Sequence, residues 1–186
     1  MLYDGGPVLR AHQVNSLEDR VRLLRRMAYL GDQAFDRHSP PVGGLMDPRM
    51  REIGLAVTRA CPARNDLCEL SAIFEAVKRN IRYTGDITGK DTFQTAYRTI
   101  QLGGGDCDDH AELNAVLAME NGFECKFRIT SNTGATWDHI YTLAGVPKVA
   151  PRRWIALDTT LPGAGKFGVE PPRAKKEDFD VTEPRR

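Results

Sequence analysis

Cys107, His139 and Asp158 are of the residue types that carry out nucleophilic catalysis, and they occur in the chain in that order. Cys107 follows three glycines and an aspartate, and an apolar helical pattern begins directly after it. Unsatisfied backbone N–H groups at a helix start carry partial positive charge, which favours a thiolate over a thiol. His139 and Asp158 each lie in a strand-like segment. The arrangement predicts a thiol enzyme.

Each of the three residues has an expected chemical role. Cys107 attacks an acyl carbon, His139 takes the thiol proton and then donates it to the leaving amine, and Asp158 orients the imidazole. The backbone amide of Cys107 is the natural first donor to an oxyanion, and the side chain of Gln94 is the candidate second donor. We expect His139 to stabilise a thiolate, so that Cys107 reacts well below the usual cysteine pKa of about 8.5.

A predicted hairpin would bring the histidine and the aspartate together. Trp137–Leu143 and Arg153–Asp158 are strand-like, and a turn lies between them at 145–152. In an antiparallel pair, His139 lies opposite Ala156 or Asp158, and residues two apart share a face. Either register therefore places His139 and Asp158 on one face. We expect three aromatic residues of that face to pack on the helix of Cys107: Trp137, Tyr141 and Trp154.

Capping residues and apolar spacing predict the helices. Ser16 opens a helix that Gly31 ends, and Asn65 opens a second helix with apolar residues at +3 and +4 spacing. A short helix is expected at about 50–60, and another is expected to be capped by Asp91. The helix of Cys107 is apolar on most faces and stops at Asn121, as expected of a central, buried helix.

Four segments resemble the transglutaminase-like superfamily over about residues 66–160. They are Val77-Lys78-Arg79-Asn80-Ile81-Arg82-Tyr83, Gly105-Asp106-Cys107-Asp108-Asp109-His110-Ala111, His139, and Trp154-Ile155-Ala156-Leu157-Asp158-Thr159-Thr160. The resemblance implies a papain-like α+β fold with a Cys-His-Asp triad, which by position is Cys107, His139 and Asp158. The stretch Asp91-Thr92-Phe93-Gln94, together with the triple glycine, is similar to small stand-alone members encoded by bacteriophages and prophages.

These patterns together predict an α+β fold. A transglutaminase- or papain-like core at 61–160 has its central cysteine-bearing helix packed on an antiparallel sheet. Residues 1–60 form a helical extension of that core, and residues 161–186 form an extended C-terminal tail.

Composition limits the partners and the compartment. The 186 residues carry a net charge of +1, which offers no electrostatic case for nucleic acid or an anionic membrane. No stretch approaches the ~20 apolar residues of a membrane span, and the N-terminus has no apolar signal region. We therefore expect no nucleic-acid or membrane partner, and a peptide or protein substrate. Four cysteines do not resemble a disulfide framework, so Cys61, Cys68 and Cys125 are expected to pack in the core. We therefore expect a reducing compartment, which is the cytoplasm of a bacterial host. Association with a virion is the alternative location.

Alternatives stay open at the level of sequence. His110 is a rival base, because it lies three residues after Cys107 on the same helical face. The acidic residues beside it lack the glycine and the distal glutamate of an EF-hand loop, and no Cys-x-x-Cys pair is present, so neither metal nor cofactor is expected. The alternative function is a non-catalytic structural or assembly protein of a phage virion, with phage structural proteins as its partners.

Overall fold

The computed structural model describes residues 10–11, 16–34, 37–85, 92–161 and 166–181. These residues combine helices with an antiparallel sheet, as the sequence predicts. In chain order the elements are β1 (Arg10–Ala11), α1 (Leu17–Leu30), a 3-10 helix (Gly31–Ala34), α2 (Pro48–Thr58), α3 (Asp66–Asn80), β2 (Arg82–Tyr83), β3 (Thr92–Phe93), α4 (Ala96–Leu102), β4 (Gly104–Gly105), α5 (Cys107–Glu120), β5 (Cys125–Ser131), β6 (His139–Val146), β7 (Arg153–Leu157) and β8 (Lys175–Asp180).

The helices begin where a side chain can accept from the free N–H groups of the first turn. The Ser16 hydroxyl accepts from the backbone of Asp19, and the Asn65 side chain accepts from the backbone of Cys68. Both caps were predicted. The helix expected after Asp91 is instead capped by Thr95 and begins at Ala96, while the preceding residues enter β3. Asp91 itself lies outside the described residues.

The main sheet has the strand order β7-β6-β5-β8, with every neighbouring pair antiparallel. Its edge strand β8 comes from the segment predicted as an extended C-terminal tail, and Phe179 of β8 lies opposite Phe127 of β5. A short parallel pair joins β2 to β4, with Arg82 opposite Gly104. This pairing anchors the glycine-rich loop beside the end of α3, just before Cys107.

Helix α5 lies in the centre of the core, as predicted, and most of its side chains are buried. It contacts β6 through alternate residues, because the Thr142 hydroxyl donates to the carbonyl of Ala111 at 2.5 Å and Ile140 and Ala144 belong to the same core cluster. Successive side chains of a strand point to opposite faces. Between Ile140 and Ala144, the face of β6 that α5 covers is therefore the one that carries the even-numbered residues.

The expectation that Tyr141 and Trp154 pack on α5 was wrong. These two residues form a separate cluster with Leu143 and Ala156 on the other face of the sheet, where the Tyr141 hydroxyl donates to Glu170 at 2.6 Å. The hairpin pattern indicates which residues share a face but not which face the helix covers. Nearly all of β6 is buried, so both faces are apolar and the sequence offers no contrast between them.

A disulfide joins Cys61 and Cys68, contrary to the prediction that both would pack as free core thiols. Cys61 follows the end of α2 and Cys68 lies in the first turn of α3, and the tight connection brings their Cα atoms within 5.7 Å. That proximity depends on how two helix ends meet, which residue spacing does not reveal. Cys125 is a buried free thiol, as predicted.

Among the helices of the described residues, none combines the length and the apolar character needed to cross a membrane.

Candidate active site

The loop before α5 presents Cys107 as the first residue of the helix. Asp106 caps it by accepting from the backbone N–H groups of Asp108 at 3.0 Å and Asp109 at 3.2 Å. In return the Asp109 carboxylate accepts from the backbone N–H of Asp106 at 3.1 Å, which completes a capping box. A Cβ at Gly105 would lie 2.6 Å from the Asp109 side chain, so the last glycine permits this close approach.

The acidic residues around Cys107 are engaged with other groups. Asp108 is buried and forms an ion pair with Arg20 of α1 at 3.1 Å. Asp109 accepts from the backbone N–H of Gln94 at 2.8 Å as well as from Asp106. Burial has the largest effect on Asp109 and raises its pKa to about 7. The hydrogen bonds from Gln94 and Asp106 oppose this rise.

Gln94 lies against the same loop. Its side-chain amide donates to the Asp109 carboxylate at 2.5 Å and to the carbonyl of Gly104 at 3.4 Å. These contacts tie β3 to the start of α5, and they direct the Gln94 amide nitrogen toward Asp109. The role of Gln94 as a second oxyanion donor stays a prediction.

His139 and Asp158 are in direct contact, with Nε2 of the ring 2.8 Å from Oδ2 of the carboxylate. Burial alone would raise the pKa of Asp158, but hydrogen bonds from His139 and Thr160 outweigh it and lower the pKa. Asp158 is therefore an ionised acceptor, and Nε2 must be the protonated nitrogen. In the neutral ring the lone pair then lies on Nδ1.

Thr160 fixes the aspartate from its other side. Its hydroxyl donates to Oδ1 of Asp158 at 2.7 Å, and its backbone N–H lies 3.3 Å from the same oxygen. With both oxygens engaged, the carboxylate has little freedom to rotate away from His139. Thr160 belongs to the motif segment that starts at Trp154, but its contact with Asp158 was not predicted.

Cys107 adjoins the start of β6. The backbone N–H of Ile140, the residue after His139, donates toward the Cys107 sulfur and lowers the pKa of the thiol. A stronger effect comes from burial, which raises that pKa well above its ordinary value, and the charges of Asp108 and Asp106 add to the rise. The direction of this shift is opposite to the expected one, because the motif does not show how the protein packs around the half-buried Cys107.

The hairpin register differs from both predicted registers. Thr142 pairs with Leu157, and Leu143 pairs with Ala156. If this alignment is continued to the end of the strand, His139 lies opposite Thr160. The expected partners were Ala156 and Asp158. The observed partner of His139 is displaced from the predicted ones by an even number of residues. His139 and Asp158 therefore still lie on the same face of the sheet. His139 and Asp158 consequently meet along a diagonal.

Helix α5 also holds the residues that flank Asp158. The buried Asn114 amide donates to the carbonyl of Leu157 at 3.3 Å and to the hydroxyl of Thr159 at 2.9 Å. Nδ1 of His110 lies 2.8 Å from the same hydroxyl. Asn114 was not predicted from the sequence, although a polar residue inside an apolar helix was the available signal. One helix thus starts at Cys107 and anchors the chain on both sides of Asp158.

His110, the rival base, is almost completely buried within this network. Burial lowers its pKa to about 4, so the ring is neutral under ordinary conditions. Its contact with Thr159 favours a packing role.

A cleft of about 250 Å³ opens beside the histidine. It is lined by Tyr83, Asn132, Asp138, His139, Thr160, Leu161 and Arg173. The described residues contain no cluster of three or more histidine, cysteine, aspartate or glutamate side chains that could hold a metal ion. Of the three predicted catalytic residues, His139 lines this cleft, while Cys107 and Asp158 are not among its described lining residues.

The chain belongs to the transglutaminase-like superfamily, whose family profile matches residues 55–159. Two solved bacterial structures share the fold. One, from Parabacteroides distasonis, is described as a putative protease and is 10% identical, with a TM-score of 0.53 over 76% of this chain. The other, from Cytophaga hutchinsonii, is described as a putative cysteine protease and is 13% identical, with a TM-score of 0.51 over 93% of this chain.

This chain spans 29% of the length of the first structure and 60% of the second. No curated protein matches the sequence. The resemblance to bacteriophage-encoded members, the virion role and the cytoplasmic location all stay predictions, because none of these matches bears on them.

Proposed function

We propose that this protein is a thiol-dependent enzyme that hydrolyses or exchanges an amide bond of a peptide or protein, with Cys107 as nucleophile, His139 as base and Asp158 as orienting residue. The observation that carries the proposal is the 2.8 Å contact between His139 and Asp158 at the strand end that adjoins Cys107. Membership of the superfamily supports it.

The first step follows from the charges of the groups. Because burial raises the pKa of the Cys107 thiol, we infer that the thiol loses its proton as the sulfur attacks the acyl carbon, and Nδ1 of His139 accepts it. The imidazolium that forms lies against the ionised Asp158, which stabilises it. A general base suits a thiol with a raised pKa better than a preformed ion pair does.

The later steps use the same groups. The backbone N–H of Cys107, at the start of α5, is the proposed donor to the oxyanion of the tetrahedral intermediate. His139 then gives its proton to the leaving amine, and a thioester forms on Cys107. Water or a second amine resolves the thioester, giving hydrolysis or acyl transfer respectively. Gln94 is the second proposed oxyanion donor, and it would have to release one of its contacts with Asp109 or Gly104.

A peptide library incubated with and without hydroxylamine tests the proposal. Hydroxylamine is a strong nucleophile and intercepts a thioester as a hydroxamate. We expect new peptide termini or converted amides from the wild type, hydroxamates when hydroxylamine is present, and none of these products from Cys107→Ala. Products that persist in a folded Cys107→Ala protein would contradict the proposal, and so would their complete absence from the wild type.

A further inference from the structure

The cleft beside His139 contains a single arginine or lysine among its described lining residues, Arg173. Nη1 of its guanidinium donates to the side-chain oxygen of Asn132. Its Nε atom is buried and has no hydrogen-bond partner among the described residues. A buried N–H donor without a partner lowers stability, so the guanidinium has hydrogen-bonding capacity that the described residues do not use.

Two other cations of this region have carboxylate partners. Arg128 pairs with Asp178 at 2.6 Å and with Glu170 at 2.7 Å, and Lys176 pairs with Glu170 at 2.9 Å. Arg173 forms no ion pair with a described residue and contacts only the neutral amide of Asn132. Its charge is thus available to a ligand.

One acidic residue, Asp138, lines the same cleft. Its carboxylate accepts from the backbone N–H of Asn132 at 2.8 Å and makes no ion pair with Arg173. Asn132 therefore bridges the two charged groups without neutralising them. Asp138 is exposed to solvent, which screens its charge, whereas the Nε atom of Arg173 is buried.

We propose that Arg173 is a specificity-determining residue, and that the cleft is a subsite for an acidic side chain of the peptide substrate. The planar guanidinium can donate two parallel hydrogen bonds to a carboxylate, which a neutral amide cannot accept in the same way. The exposed ring of Tyr83 and the side chain of Leu161 provide apolar walls for the methylene groups. The inference rests on the proposed function, because the subsite serves the reaction at Cys107.

Peptidyl fluoromethyl ketones that differ in one residue test the subsite. The residue is glutamate, glutamine or lysine, placed at either of the two positions before the reactive carbon, and the readout is the rate of adduct formation at Cys107 by mass spectrometry. Iodoacetamide, which is too small to depend on the cleft, is measured in parallel. We expect the glutamate probe to react about tenfold faster than the glutamine probe at one of the positions, the size that a charge-assisted hydrogen bond supplies.

The variants separate charge from geometry. Arg173→Gln should abolish the preference for glutamate, while Arg173→Lys should retain part of it, with each probe rate divided by the iodoacetamide rate of the same variant. Lys175→Gln is the matched control, since Lys175 lies two residues away over the ring of Trp137 and does not line the cleft. Asp138→Asn should strengthen the preference by removing the opposing charge.

Two results would overturn the subsite while leaving the proposed function intact. One is a wild-type protein whose Cys107 reacts with iodoacetamide and with all peptidyl probes at equal rates. The other is a preference for glutamate that persists in Arg173→Gln. A folded protein whose Cys107 reacts with no reagent would instead contradict the proposed function, and the subsite with it.

Discussion

Nε2 of His139 lies 2.8 Å from Oδ2 of Asp158, although the two residues are 19 positions apart in the chain. The hairpin of β6 and β7 brings them to one end of the sheet, and Thr160 holds the carboxylate in place. Because Asp158 accepts from Nε2, it determines which ring nitrogen of His139 carries the proton and which carries the lone pair.

Asp158→Asn should change the tautomer of His139. In the wild type the neutral ring carries its proton on Nε2, whereas the amide of asparagine can donate as well as accept, so the proton should distribute over both nitrogens. Nitrogen-15 chemical shifts of the ring measure this directly. His110, whose ring stays neutral down to about pH 4, is an internal reference. An unchanged tautomer in the variant would show that Asp158 does not orient the ring.

Arg20→Gln should slow alkylation of Cys107 at neutral pH several-fold. Arg20 lowers the pKa of the thiol and pairs with the buried Asp108 at 3.1 Å, so its loss leaves more uncompensated negative charge beside the sulfur. The free energy of unfolding should fall by about 1–3 kcal/mol, as for other charged groups that lose a buried partner. Arg22→Gln on the same helix is the matched control, because Arg22 is exposed and pairs with Asp19 at the surface. Equal effects of the two substitutions would contradict a specific role for Arg20.

Glu112→Gln should become progressively more stabilising as the pH rises. Glu112 is completely buried, and burial raises its pKa well above the ordinary 4.5, with Asp109 and Asp108 adding to the rise. A carboxyl with a raised pKa in the folded state contributes stability below its unfolded pKa and loses it as the pH rises toward the folded pKa. The wild type should therefore lose up to about 1.4 kcal/mol per pH unit above pH 4.5 relative to the variant. Urea unfolding at several pH values measures the difference.

The control for this prediction is Glu52→Gln, since Glu52 is an exposed glutamate of helix α2. The stability difference between this control and the wild type should change little with pH. A flat difference for Glu112→Gln as well would mean that Glu112 ionises at its ordinary pKa in the folded protein.

The double variant Cys61→Ser, Cys68→Ser should be less stable than the wild type by about 2 kcal/mol. Their disulfide closes a short loop, with a sequence separation of 7, and a loop of that size removes roughly this much chain entropy from the unfolded state. The disulfide joins helices α2 and α3 away from the cleft, so the alkylation rate of Cys107 should not change. Chemical unfolding with and without reductant tests the first statement, and the labelling rate tests the second.

The parts of the fold that depend on nearby residues were predictable. Ser16 and Asn65 cap their helices through N–H groups three residues away, and the alternation of β5 appears within seven residues. The disulfide of Cys61 with Cys68 was missed because it depends on how two helix ends meet. The face of β6 that α5 covers was missed for a similar reason, since both faces are apolar.

In the candidate active site, too, features set by nearby residues were predictable and features set by tertiary packing were not. Residues two apart on a strand share a face, and this was sufficient to predict that His139 and Asp158 lie on one face. They do lie on one face, even though the observed register differs from the predicted ones. The protonation state of Cys107 was not predictable, because it depends on burial and on the positions of Asp106 and Asp108 in three dimensions. Asn114 was also missed, since Leu157 and Thr159, its partners beside Asp158, lie more than 40 positions away in the chain.

The central claim is that Cys107 is a nucleophile whose thiol loses its proton to His139. The most direct test is the rate of Cys107 alkylation by iodoacetamide across a range of pH, in the wild type and in His139→Gln, with folding checked by circular dichroism. The buried Cys125, whose pKa burial also raises, is an internal control. We predict labelling of Cys107 and not of Cys125, and at neutral pH a rate about 100-fold lower in the variant, the size of a lost general base. Equal rates in the two proteins, or an unreactive Cys107 in the folded wild type, would contradict the account.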